Sequence, residues 1–172
     1  MPPNVLVAYA TRAGSTEEVA LTLAEILRSR GLEVDVHPAR HINSIETYSA
    51  VVIAVALYAG RMHKDVRRFL LRHRAALSKA PVALFVLGPV QQEKKDWTGA
   101  RQQLDKELQR FPWFSPVEQH IVGGKFDAAT LGFPFNLIPA LRKMPVKDAR
   151  DWELIRAQAN ELAERFHCNG LK

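Results

Sequence analysis

Three hydroxyls and a glycine crowd into six residues near the start of the chain. Thr11, Gly14, Ser15 and Thr16, in TRAGST (11–16), follow the apolar run NVLVAYA (4–10) and precede a stretch with helical spacing. Two kinds of chemistry suit such a turn. In one, Gly14 relieves the bend, Ser15 caps the helix and Glu18, three residues on, completes a capping box. In the other, the free N–H groups of a helix N-terminus join the hydroxyls of Thr11, Ser15 and Thr16 around one anion, which the helix dipole favours. A place directly after the first buried strand favours the phosphate. The turn lacks the Gly-Lys-Ser/Thr of nucleotide P-loops, and no G-x-G-x-x-G occurs, so nucleotide fingerprints are excluded. A phosphorelay receiver would want carboxylates where this chain has TRAG and LYAG.

The elements that must position this turn follow from apolar spacing. NVLVAYA (4–10), AVVIAVAL (50–57) and PVALFVLG (81–88) lack polar alternation, as strands buried on both faces do. LEVDVH (32–37) alternates like a strand nearer a sheet edge, and VEQHIVGG (117–124) reads as a last strand. Helices are predicted over Thr16 to Arg30 (Val19, Ala20, Leu23, Ile26 and Leu27 inward, Gly31 as stop) and Lys64 to Leu77 (Val66, Phe69, Leu70 and Leu77 inward). Two more are predicted over Ala100 to Phe111, with Leu104 and Leu108, and Asp151 to Phe166, with Trp152, Ile155, Ala159, Leu162 and Phe166 on one face. Such alternation predicts an α/β fold in one domain (1–172): a doubly wound five-stranded parallel sheet, order 2-1-3-4-5, with helices on both faces. Ligands of such sheets lie at the carboxyl ends of the strands, so loops 11–16, 57–62 and 88–97 matter most.

Composition narrows the company this site keeps. The net charge of +6 points to an anionic partner, whether a phosphate-bearing ligand, an anionic membrane surface or nucleic acid, or else to a solvated basic surface. Basic residues gather in RMHKDVRRFLLRHR (61–74) and RKMPVKDAR (142–150) without interleaved aromatics for base stacking, so no nucleic acid is expected. With no eighteen-residue apolar run and no basic n-region before the first apolar stretch, neither a membrane span nor a signal peptide is expected, and the cytoplasm is the expected compartment. Cys168 is the single cysteine, which excludes a disulfide framework and a multi-cysteine metal site. LGFPFNLIPAL (131–141), flanked by Arg142 and Lys143, fits either a surface that touches an anionic membrane or a segment packed over the last strand.

T-x-x-G-S-T after a first buried strand resembles the FMN phosphate loop of flavodoxins. The resemblance implies that Thr11, Arg12, Ala13, Gly14, Ser15 and Thr16 wrap the phosphate of FMN. It implies further that Ala56, Leu57, Tyr58, Ala59 and Gly60 (ALYAG) and Gly88, Pro89 and Val90 (GPV) flank the isoalloxazine ring. Tyr58 is then the stacking candidate and Trp97 a second. Each has a plainer reading, a half-buried strand-end aromatic and a core residue of the next helix. His63 stands beside these loops as a helix cap or a substrate contact.

A wider resemblance runs through VLVAYATRAGST, VVIAVALYAGRMHKDVRRFL, IVGGKFD and RDWELIRAQANELAERF. These are similar to the short flavodoxin-like group that includes menaquinone-dependent protoporphyrinogen dehydrogenase. That group carries a long basic insert in the fifth-strand region and a tract ending in G-G-E-T, where this chain has QQEKKDWTGARQQLDKEL and KMPVKDARDW. The resemblance implies an FMN-dependent oxidoreductase that passes electrons from a reduced organic substrate, such as protoporphyrinogen IX, to a quinone. The positive charge and the LGFPFNLIPAL segment fit cytoplasmic work with a peripheral contact at the inner face of the membrane. No side chain need act as catalytic base, because the redox chemistry belongs to the flavin. The other readings are a flavodoxin-type electron carrier with no activity of its own, and an interaction module without flavin.

Overall fold

Strands without polar positions must be covered on both faces, and that requirement sets the architecture. The computed structural model describes residues 2–91 and 93–169. Gln92, inside the expected loop 88–97, lies outside the described residues. The chain runs through β1 (Asn4–Ala10), α1 (Ser15–Ser29), β2 (Glu33–Pro38), β3 (Ala50–Tyr58), β4 (Arg61–Met62), α2 (Lys64–Arg72), α3 (Arg74–Leu77), β5 (Val82–Leu87), α4 (Lys94–Leu108) and β6 (Glu118–Val122). Then follow β7 (Lys125–Phe126), α5 (Pro139–Arg142), β8 (Lys147–Asp148) and α6 (Trp152–Asn169).

The main sheet has the order β2-β1-β3-β5-β6, all parallel, with β4 folded back antiparallel on β3. Counting only the five long strands, this is the expected 2-1-3-4-5. Alternate residues of each strand feed opposite cores. Val5, Val7, Val52, Ala54, Phe85 and Leu87 pack under α1 and α6. Leu6, Ala8, Val51, Ile53, Leu84 and Val86 pack under α2 and α4. The inward sets expected for α1 and α6 are buried there, with Ile26 and Trp152 only partly covered.

Two helices differ from their sequence reading. The helix expected over 64–77 breaks at His73, which takes a non-helical conformation (φ −104, ψ 21). Its ring packs 4.8 Å from that of Phe69, four residues back, and its Nε2 is 3.3 Å from the Ile42 carbonyl; the second contact is a tertiary hold that local spacing does not register. Conversely, α4 starts at Lys94 rather than Ala100. Its first turns are polar and lie largely on the surface, so apolar periodicity is silent there.

The stretch from Lys125 to Asp148 is an excursion from the carboxyl end of β6, closed at its base by the antiparallel β7–β8 pair. It stands in the fifth-strand region. Residues 132–140 are all exposed, so the reading of LGFPFNLIPAL as packed over the last strand does not hold. Packing there would need a free sheet face, and α6 already occupies that face of β6.

Candidate functional site

The carboxyl ends of β1, β3 and β5 are neighbours in the sheet, so the loops after them meet at one edge. Thr11, Arg12, Ala13 and Gly14 form the turn between β1 and α1. Gly14 is the N-cap, in the left-handed region (φ 85), which only glycine enters without strain. Its N–H donates to Thr11 Oγ1 at 2.8 Å, which tightens the turn.

The capping box, the plainer of the two readings of this turn, does not form. Ser15 is the first helical residue rather than the cap, and the cap makes no side-chain hydrogen bond. Glu18 turns away instead, accepting from Arg150 Nη1 at 2.7 Å and pairing with Lys125 Nζ at 3.6 Å. The first-turn N–H groups are thus left without side-chain acceptors. Beside them Thr16 is fully buried (0% exposed), and its Oγ1 has no hydrogen-bond partner among the described residues. Such an orphan costs about 1–3 kcal/mol unless something else accepts or donates.

Ala56, Leu57 and Tyr58 end β3, and Ala59 and Gly60 form the tight turn to β4. Both turn residues have positive φ, 49 for Ala59 and 74 for Gly60. The Arg12 guanidinium lies 4.8 Å over the Tyr58 ring, joining the first loop to the second. Gly88, Pro89 and Val90 follow β5. The Gly88 N–H donates to Val122 O at 2.7 Å and the Gly124 N–H to Pro89 O at 2.9 Å, so the third loop is bound to the end of β6. Trp97 lies half-buried at the end of the first turn of α4 and is among neither core group.

Sequence reasoning missed the supports of these loops. Glu107 on α4 is 1% exposed and accepts from the Met62 N–H at 3.3 Å, with Arg67 at 3.4 Å and Arg110 at 3.3 Å. It anchors the hairpin carrying Tyr58. Glu107→Leu would leave that N–H without its acceptor, and we expect a loss of about 1–3 kcal/mol in urea unfolding. An unchanged midpoint would show that the hairpin holds itself. Arg150, whose side chain is 2% exposed, donates to Ser15 O at 3.2 Å, to Glu18 and twice to Asp148, and stacks 4.7 Å over Trp152. It fastens the base of the excursion to the first turn of α1. In the sequence Arg150 is one cation among several; only its pairing with Asp148, two residues back, hinted at this.

Charge around the mouth is positive. His63 caps α2, its Nδ1 accepting from the Asp65 N–H at 3.2 Å. Burial holds its proton affinity below the usual histidine range; Asp65 opposes this, while Arg12, Lys64 and Arg40 add to it. A neutral, capping His63 matches the plainer of its two readings.

All three tyrosines are held protonated. Burial, then the hydrogen bond to Glu17 (2.7 Å), pushes Tyr9 up to about 12. Burial and Asp35 raise Tyr48, and burial raises Tyr58 against the pull of Arg12. A tyrosine raised on folding contributes its stability in full below the unfolded value and loses it as pH rises through the folded one. For Tyr9 the loss is about 2–3 kcal/mol between roughly pH 10 and 12. Tyrosinate absorbance should therefore appear later in the folded protein than in urea. Coincident titrations would contradict the burial.

The flavodoxin domain family matches residues 6–138. Among curated proteins, the protoporphyrinogen IX dehydrogenase [quinone] of Escherichia coli K12 is 31% identical over 84 residues, which are 48% of this chain and 46% of that protein. The match thus spans about half the length of that relative. Among solved structures, a flavodoxin from Archaea aligns with TM-score 0.59 at 11% identity, covering 95% of this chain and 99% of that one. Flavodoxin 1 of Bacillus cereus aligns with TM-score 0.59 at 15% identity, covering 95% and 96%. Rubredoxin oxygen:oxidoreductase of Desulfovibrio gigas aligns with TM-score 0.61 at 17% identity, covering 98% of this chain and 37% of that one. With the family match spanning most of the chain and the sheet order agreeing, this protein belongs to the flavodoxin family.

Proposed function

We propose that this protein binds FMN through TRAGST and passes electrons from a reduced organic substrate to a quinone. Flavodoxin-family neighbours bind FMN. One observation carries the cofactor reading: a fully buried Thr16 hydroxyl without a partner, at a helix N-terminus whose cap makes no side-chain bond. A phosphate oxygen would satisfy that hydroxyl and the first-turn N–H groups together.

Thr11, Arg12, Ala13, Gly14, Ser15 and Thr16 would hold the phosphate, and Ala56–Gly60 with Gly88–Val90 would flank the ring. When bound, FMN supplies two-electron chemistry at its N5. The chain's own work is placement. Gly14 turns the loop, Glu107 steadies the Tyr58 hairpin, and Arg12 with its neighbouring cations favours anionic groups at the mouth. Tyr58, stacked by Arg12, offers the ring an aromatic wall.

Protoporphyrinogen IX is the donor that the partial match to the E. coli enzyme supports. The charge of +6 supports an enzyme over an electron carrier, since carrier flavodoxins are characteristically acidic. The fold shared with flavodoxins over nearly their whole length supports the carrier as second reading. We place the protein in the cytoplasm, working against the inner face of the membrane.

The test is the visible spectrum of protein purified without added flavin, mass identification of the released chromophore, and anaerobic mixing of the reduced protein with a soluble quinone. Bound FMN and rapid reoxidation by quinone are expected. FMN without quinone reduction would favour the carrier, and a colourless protein that rejects added FMN would end both readings.

A further inference from the structure

The excursion between β7 and β8 presents an apolar surface with no cover in the fold. Phe133 is 81% exposed and Leu137 66%, with Phe135, Ile138, Met144 and Val146 also open to solvent. Scattered apolar side chains need no explanation, but six exposed within the fourteen residues 133–146 mark an interaction site. Arg142, Lys143 and Lys147 lie within the same segment, and residues 131–147 contain no acidic residue.

We propose that residues 131–147 dock on an anionic lipid bilayer, Phe133 and Leu137 entering the headgroup boundary and Arg142 and Lys143 meeting lipid phosphates. Charge decides the occupant. A second copy of this chain would set the same cations against one another, whereas an anionic leaflet attracts them. No helix among the described residues is long and apolar enough to cross a membrane. The excursion leaves the carboxyl edge of the sheet, where the loops of the candidate site also lie, and Arg150 and Lys125 tie its base to Glu18 of α1. A docked excursion therefore holds the site mouth close to the bilayer, where lipid-soluble quinones reside. That consequence rests on the quinone reading; lipid binding itself does not.

The experiment is flotation of the protein as purified with vesicles of phosphatidylcholine alone or mixed equally with phosphatidylglycerol. Reduction of a soluble and of a lipid-embedded quinone is measured alongside. The protein should float with the anionic vesicles, remain behind with the neutral ones, and be released by high salt. The double variant Arg142→Glu/Lys143→Glu should lower anionic partition by roughly tenfold or more. Phe133→Ser/Leu137→Ser should abolish flotation. Both should keep the circular dichroism spectrum and the soluble-quinone rate, losing only the lipid-quinone rate.

Equal partition of wild type and both variants would overturn the proposal. So would sedimentation as a dimer that Phe133→Ser dissolves, or capture of the segment by an acidic protein without lipid. Wild type that ignores vesicles yet reduces soluble quinone would sink the docking surface and spare the quinone reading. Flotation without quinone reduction would do the reverse.

Discussion

Thr16→Val is expected to make the flavin-free protein more stable and its FMN complex weaker. Valine matches the shape of threonine and deletes the buried hydroxyl that no protein group satisfies. Removing an unpaired buried polar group should raise apoprotein stability by about 1 kcal/mol, read by urea unfolding. Losing one hydrogen bond to a charged phosphate should cost about 1.5–3 kcal/mol, or roughly ten- to a hundredfold in Kd, read by flavin fluorescence titration. A structural role alone cannot produce opposite signs in the two measurements. Thr16→Ser should restore most of the affinity. Thr16→Glu, which places a carboxylate where the phosphate would sit, should yield colourless protein. Unchanged FMN affinity in Thr16→Val would remove that hydroxyl from the phosphate cradle.

Gly123→Ala should damage the protein more than any other single methyl discussed here. A Cβ at Gly123 would fall 1.7 Å from the Ala149 carbonyl oxygen, which is backbone and has little freedom to retreat. Its neighbour is nearly as constrained, since a Cβ at Gly124 would lie 2.4 Å from Gly88 O. These close approaches bring the end of β6 against the third loop on one side and the returning chain before α6 on the other. We expect a loss of about 3 kcal/mol or more, with weakened flavin binding because the 88–90 loop must shift. Gly99→Ala is the control, because nothing lies within 4 Å and the position is helical. It should gain about 0.5–1 kcal/mol. Equal midpoints for the two variants would show that the β6 terminus has more slack than its geometry implies.

How much of this was legible beforehand follows from the range of the forces involved. The sheet order could be read because buried parallel strands leave a local signature, the unbroken apolar run, and handedness prunes the rest. The TRAGST turn between β1 and α1 was legible for the same reason, since glycine and hydroxyls within six residues mark it locally. The capping-box alternative fails at Glu18: its spacing from Ser15 fits such a box, but the structure gives it to Arg150, 132 residues away. The exposed excursion was undecidable from composition, because apolar residues signal a surface that seeks cover without saying whether the fold provides it. The buried role of Glu107 left no trace, since an acid on a helix is ordinarily solvated.

The pairing of α1 with α6 under one face of the sheet bears on how the molecule is made. Arg30 bonds Asn160 at a separation of 130 residues, and His167 Nε2 lies 2.8 Å from the Arg30 carbonyl at a separation of 137. The apolar side of β1, β3 and α1 therefore cannot be sealed until the chain has been synthesised through Phe166. On the ribosome that surface waits uncovered, while the opposite face can already close with α2 and α4. We expect loop closure over such a span to make this half the slower step of folding and the stage most exposed to aggregation. The helix that begins at the candidate phosphate loop would then be among the last to gain full protection from hydrogen exchange.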